Sequence, residues 1–349
     1  MNTDQTNPVP RLQELDALRG MAALMVVLFH FTMYRPQAAL GFKLGVTGVD
    51  LFFIISGFVI FMSLMRVRKS MDFIINRVSR LYPTYWACVT FTFLLQLTVL
   101  FLNKHQSVAA DLSLRYLGNM TMFQFYLGIE DLDGPYWTMI IEMLFYIGIL
   151  VLFRKHLLRH LTSIGIGIIV LTWLGIVFFE GQYWFDFIYK WIPLLKYMPV
   201  FLAGTVCYKI YTQKGQLAHH YAVILFCLIA QVGFFGHGGN VGAYITRTEY
   251  TVMLMVYFGL FVLFVNRKLQ FVVSKPTLFL GKISFALYLM HQYVSLEIII
   301  PYLTRKLHLH FWIAAAVALV CVISLAAIVT YCIEIPYTRK MKNKLRSWT

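Results

Sequence analysis

About ten apolar runs of membrane-spanning length follow one another along this 349-residue chain, and they restrict its folding more than any other feature. A hydrocarbon core about 30 Å thick needs about 20 apolar residues per helix. The runs lie at 18–34, 49–65, 83–102, 136–153, 161–179, 194–211, 221–236, 250–265, 277–300 and 311–333. None shows the period-two alternation of a barrel strand, so in lipid the backbone can satisfy itself only as helix. A hydrophobic share of 60%, a charged share of 13% and a mean hydropathy of +0.71 exclude an ordinary soluble enzyme and a disordered chain alike. The expected fold class is therefore all-α: a polytopic membrane protein with about ten transmembrane helices. The segment 111–127 is too polar to span and reads as an interfacial or re-entrant helix.

The formal charge of +15 would suggest nucleic acid in a soluble protein, so its location matters. Cytoplasmic segments are enriched in Lys and Arg. With the N-terminus inside, ten crossings put most basic residues on the cytoplasmic face, among them Arg11, Arg66, Arg68, Lys69, Arg154, Lys155, Lys209, Lys214, Arg267 and Arg339 to Arg346. Both termini are then cytoplasmic, and no nucleic acid is needed to explain the charge. We divide the chain into a cytoplasmic segment (1–14), a membrane domain (15–336) and a basic cytoplasmic tail (337–349). The polar N-terminal segment carries no cleavable signal, so the first helix is expected to insert the chain. The tail is expected to meet anionic headgroups. The lipid bilayer is the expected partner, with homo-oligomerisation left open.

The five cysteines all fall in apolar runs without a CxxC spacing, which suits packing rather than disulfides or zinc. His156 and His160 have the i, i+4 spacing of a helical metal pair. They sit among Arg154, Lys155 and Arg159 with no third ligand in sequence, so no metal is expected. Glu130, Asp131 and Asp133 form an acidic loop that could rim an outer site.

Ionisable residues within apolar helices are costly unless paired or hydrated, so they mark function. Arg19 and His30 are eleven residues apart, about three turns, and share one face of the first helix. Counting along the helices places His30, Glu142 and His291 at similar depths in the outer half, with Asp50 near the outer mouth. A second cluster lies inside: Arg77 and Arg80 share a helix face three residues apart, and Arg19 and Lys282 lie at the inner ends of other spans. Such a cationic vestibule suits a phosphorylated cytosolic ligand.

At these residues the chain resembles the acyltransferase family 3 integral membrane acyltransferases. The matching elements are Arg19-x10-His30, GVDLFFIISGFVI at 48–60, Arg77-x-x-Arg80 before Tyr82-Pro83, Trp137-x4-Glu142, Ser284-x3-Tyr288-x2-His291 and Glu334-x-Pro336. They run through nearly the whole chain in order; Thr138 stands where Ser is common in the family, and the fused SGNH-type domain of some relatives is absent. The resemblance implies transfer of an acyl group, most often acetyl from cytosolic acetyl-CoA, to a hydroxyl of an extracytoplasmic carbohydrate or lipid-linked glycan. It also implies a bacterial plasma (inner) membrane as the setting. The Arg and His of the first helix are implied to be essential, with the Arg-x-x-Arg pair on the donor side.

Joined to the depth argument, this gives a working mechanism. Arg19, Arg77, Arg80 and Lys282 bind the phosphates of acetyl-CoA, His30 acts as general base, and Glu142 orients it. Asp50, Trp137, Tyr288 and His291 line the acceptor site. A route through an acyl-histidine, a transporter or flippase for an anionic or lipid-linked glycan, and a non-catalytic membrane sensor are the alternatives.

Overall fold

A computed structural model describes residues 12–102, 109–213, 215–237 and 241–348. Arg11, Lys104 and Lys214 lie outside the described residues, as does most of the expected N-terminal segment. Among the described residues the chain is helical, without strands. The helices are α1 (Gln13–Thr32), α2 (Gly48–Leu64), α3 (Ser70–Leu102), α4 (Ala109–Asn119), α5 (Trp137–Arg154), α6 (Leu161–Phe179), α7 (Tyr183–Trp191), α8 (Met198–Tyr211), α9 (Leu217–Gly233), α10 (Arg247–Val265), α11 (Lys275–Tyr293), α12 (Phe311–Val329) and α13 (Ile335–Arg346).

Among the described residues, eight helices are long and apolar enough to cross a membrane. The expected run at 194–211 is instead part of a pair, α7 and Pro193–Tyr211, bent by 76°. The break falls at Ile192–Pro193, where proline removes a backbone donor and disfavours helical geometry in the residue before it. The run at 221–236 becomes the 17-residue α9; α2 has the same length but belongs to a longer apolar helical stretch, Phe42–Leu64. Segment 111–127 holds the 11-residue α4 and a short 3-10 turn at Gln124–Leu127, too short to cross.

Small residues bring the central helices together, because association in lipid depends on close packing rather than on expelling water. Gly20 of α1 lies against the backbone of Gly281, and Gly281 lies against the carbonyl of Asp16, leaving no room for a side chain at either position. Gly57 of α2 and Gly204 of α8 meet in the same way. Aromatic stacking extends this contact, with Phe201 4.8 Å from Phe53 and 4.3 Å from Phe145 between ring centres. The apolar window of α1 is 67% buried within the protein, against 22% for α3, so α1 is central and α3 faces outward.

Contacts between helix ends set their directions. α1 and α11 run parallel, joined at Asp16/Gly281 and again at His30/His291. α2, α8 and α10 are mutually parallel: Tyr197 and Tyr250 lie near Phe53 and Asp50, while Tyr208 and Phe264 lie near Phe58. α9 opposes α10, since Tyr221 meets Asn266 and Gln231 meets Tyr250. α12 opposes α1: it begins beside Arg35 and Phe42 and leads to Glu334, which shares a cavity with Arg19. The bundle thus has an Arg19 end and an Asp50 end.

Candidate active site

His30 sits in the last turn of α1, and its ring is held from two sides. His291 on α11 is fully buried. Its Nδ1 lies 2.9 Å from the carbonyl oxygen of Tyr288 and 3.2 Å from that of Leu287. Carbonyl oxygens only accept, so Nδ1 of His291 carries the proton and its Nε2 is an acceptor. That acceptor lies 3.0 Å from Nδ1 of His30, which is also 2.9 Å from the Val26 carbonyl. Both partners of His30 Nδ1 are acceptors, so Nδ1 must donate. Nε2 is then left with its lone pair on a ring that lines a cavity of about 410 Å³.

This cavity lies at the Asp50 end, between α1, α2, α5 and α11. His30, Asp50, Trp137 and Tyr288 all line it, as the sequence led us to expect, together with Tyr197 and Gln292. Asp50 is 1% exposed and accepts a hydrogen bond from the Tyr250 hydroxyl at 3.0 Å. Gln231 in turn donates to Tyr250 and to the Lys196 carbonyl. Four segments distant in sequence therefore hold one carboxylate at the cavity wall, and nothing in the local pattern around Tyr250 or Gln231 signals this. His291 does not line the cavity; it stands behind His30.

The expected pairing of Glu142 with His30 is not formed. Glu142 lies five residues into α5, about 7 Å along the axis from Trp137, which carries it below the cavity. There it accepts from Ser56 at 3.3 Å and from the Tyr146 hydroxyl. Ser56 falls within the 48–60 element of the sequence, though its contact with Glu142 depends on helix rotation that spacing alone does not reveal. Glu142 lines a narrow neck of about 90 Å³ with Arg19, Arg77 and Arg80. Arg77 is 8% exposed, its guanidinium over the rings of Phe73 (5.6 Å) and Tyr146 (5.7 Å).

A third cavity, of about 560 Å³, opens at the Arg19 end. Four cationic side chains line it, Arg19, Arg66, Arg80 and Lys282, opposed by Asp16 and Glu334. Arg19 is anchored to Asp16 at 3.2 Å, and Lys282 lies 4.2 Å from the centre of the Tyr331 ring. Arg77 does not line this cavity, which separates it from Arg80 three residues on. The neck shares Arg19, Val59 and Arg80 with the cationic cavity, and Val49 and Tyr288 with the His30 cavity. The three spaces therefore follow one another along α1, whose Arg19 and His30 are about 16 Å apart along the axis. Among the described residues no group of three or more His, Cys, Asp or Glu converges as metal ligands would.

Residues 12–332 match the family described as an acyltransferase domain. The chain is 27% identical over 300 residues to a protein of Acidianus two-tailed virus named "Putative acetyltransferase ORF330", covering 83% of this chain and 84% of that protein. No solved structure matches.

Proposed function

The chain belongs to this acyltransferase family, and from that premise we propose that it moves an acetyl group across a membrane, from cytosolic acetyl-CoA to a hydroxyl of a carbohydrate or lipid-linked glycan on the far side. The observation that carries the reading is the series of three spaces from the cationic cavity, through the neck, to the His30 cavity.

Each space suits one part of the reaction. Arg19, Arg66, Arg80 and Lys282 offer charge-assisted hydrogen bonds to the phosphates of the donor. The pantetheine arm follows the neck past Arg77 and Glu142, and the thioester arrives beside His30. Nε2 of His30 takes the proton of the acceptor hydroxyl as its oxygen attacks the thioester carbonyl. The tetrahedral intermediate collapses with cleavage of the carbon–sulfur bond, and the His30 imidazolium returns the proton to the leaving thiolate. His291 keeps His30 in the tautomer this step needs. Glu142 is assigned to the neck, where it offsets the charge of the arginines and holds Tyr146. Asp50, Trp137 and Tyr288 receive the acceptor, an aromatic and a carboxylate suiting the faces and hydroxyls of a sugar.

We further propose ten crossings with both termini cytoplasmic, in a plasma (inner) membrane. The helix directions support this: α1 leaves the Arg19 end and α12 returns to it, so the number of crossings is even. α8 and α9 run in opposite directions between the same two ends, which adds both to the eight longer spans.

The test is transfer in proteoliposomes from radiolabelled acetyl-CoA to envelope glycans, with mass spectrometry of the glycans seeking one added acetyl group. His30→Ala should abolish transfer and keep CoA binding. Wild-type turnover in that variant would overturn the assignment of the base, and consumption of no acetyl-CoA by the native protein would overturn the reaction.

A further inference from the structure

Four residues before Trp137 the chain buries a carboxylate that this mechanism leaves unused. Asp133 is 4% exposed. Its Oδ1 accepts from the backbone N–H of Gly134 at 2.8 Å, which caps the short turn Gly134–Tyr136 leading into α5. A cap alone needs no burial, and burying a carboxylate is costly unless partners compensate. The further partner comes from the far side of the cavity: the Tyr293 N–H lies 3.1 Å from Oδ1 and 3.3 Å from Oδ2.

Tyr293 closes α11, two residues beyond His291, where the backbone widens into a π turn at Val294–Ile299. Such widening shifts backbone groups out of the regular α pattern and is frequent at functional sites. The adjoining residues lock together as well. A Cβ at Gly134 would meet the amide end of the Gln292 side chain, so the two residues are in close contact. Gly134 and Gln292 both line the His30 cavity.

The loop bearing Asp133 is itself fixed. Asn119 is fully buried; it donates to the Glu130 carbonyl at 2.9 Å and accepts from the Leu132 N–H at 3.2 Å. Gln96 donates to the Leu132 carbonyl and Arg115 to that of Asp131, each at 2.7 Å. A carboxylate on so rigid a loop can transmit position.

We infer that Asp133 is a positioning residue, clamping the α5 wall of the cavity (Pro135, Trp137) to the α11 wall (Tyr288, Gln292) and thereby setting the aperture through which His30 is reached. Its catalytic meaning rests on the reading of His30 as the base; its geometry does not.

The test therefore reads access to His30 rather than acetyl transfer. The full chain in detergent micelles is treated with diethyl pyrocarbonate, which acylates unprotonated imidazole nitrogen, and His30 modification is followed by peptide mass spectrometry. The exposed His308 and His310 serve as internal standards. Asp133→Asn keeps an oxygen that can accept both N–H groups and should match the native rate. Asp133→Ala and Asp133→Leu both release the clamp, the second keeping the buried volume filled. Both should raise His30 modification several-fold with His308 and His310 unchanged. Equal rates in the native chain and in Asp133→Ala and Asp133→Leu would overturn the inference, as would an Asp133→Asn rate as high as that of Asp133→Leu. The second criterion applies even if Asp133→Ala does not fold. Should acetyl transfer fail in the separate assay, the labelling result is unaffected, so the two readings fall independently.

Discussion

Nδ1 of His30 lies 3.0 Å from Nε2 of His291, a contact between residues 261 positions apart that fixes the tautomer of both rings. The chain that sets it begins at the carbonyls of Leu287 and Tyr288, which oblige His291 to donate from Nδ1. His291 then obliges His30 to do the same. The orienting group is thus a buried neutral acceptor rather than a carboxylate, and it adds no charge to the apolar interior.

His291→Ala removes that acceptor and frees the His30 ring to turn. General-base assistance is worth roughly 10²- to 10⁴-fold, and most of it should be lost. CoA affinity should be unchanged, because His291 is remote from the cationic cavity. His291→Gln supplies an amide oxygen that can accept from His30 and should recover part of the rate. Single-turnover transfer from radiolabelled acetyl-CoA, with calorimetric CoA binding on the same samples, checks both outcomes; a Gln variant no better than Ala would speak against orientation through this atom.

Arg77 and Arg80 are equivalent in the sequence and distinct in the structure. Arg80 lines both the cationic cavity and the neck, whereas Arg77 lines only the neck, against Phe73 and Tyr146. Arg80→Ala should therefore weaken CoA binding by roughly 1.5–3 kcal/mol, the worth of hydrogen bonds to charged groups. The residual affinity should depend less steeply on salt. Arg77→Ala should chiefly lower kcat, by disturbing the neck, with a smaller change in CoA affinity. Titration of CoA at two ionic strengths separates the two; equal losses of affinity would contradict the division of the cavities.

The crossing of α1 and α11 at Gly20 and Gly281 offers a prediction linking stability to chemistry. Gly281→Ala places a methyl group against the Asp16 carbonyl, and the helices must part. Overpacking of this kind costs about 1–3 kcal/mol. The same displacement draws His291 away from His30, ten residues up the paired helices, so transfer should fall even at temperatures where the variant remains folded. Thermal unfolding followed by tryptophan fluorescence, with activity measured well below the transition, tests the coupling.

The end of the bundle at which a residue lies was legible in the sequence; its finer depth and the partner it faces were not. Hydropathy located the apolar segments, though not α7 or α13, and spacing put Asp50, Trp137, Tyr288 and His30 together at one end and Arg19, Arg80 and Lys282 at the other. Glu142 shows the limit. Its depth was judged close to that of His30, but it lies more than a turn farther along α5 than Trp137, beside Ser56 and the arginines of the neck. The level at which α5 meets α1 and α2 is set by contacts between distant segments, such as Ser56 with Glu142, which no local pattern encodes. Counting apolar residues likewise could not show the bend before α8, which depends on how Pro193 is accommodated. The support of Asp50 by Tyr250 and Gln231 was out of reach for the same reason: it joins residues with no periodic relation.

Asp133 also predicts a dependence of stability on pH. Burial raises its carboxyl from the usual 3.8 to about 7; the N–H groups of Tyr293 and Gly134 pull the other way, while Asp131 and Glu297 add repulsion. A carboxyl with a raised pKa makes the folded state bind more protons than the unfolded state between these two values, so stability falls as pH rises. The contribution is fully present below about 3.8 and is lost as pH passes through about 7. A shift of this size corresponds to about 4 kcal/mol at most, since each unit is worth about 1.4 kcal/mol. Asp133→Asn keeps the acceptor oxygen and removes the ionisation. Thermal melts between about pH 5 and about pH 8.5, which cover the upper part of this window and the range above it, should show the native chain losing stability relative to this variant as pH rises toward 7, with a constant difference above it. A difference independent of pH would show that Asp133 remains ionised throughout, with its charge accommodated by the Tyr293 and Gly134 donors alone.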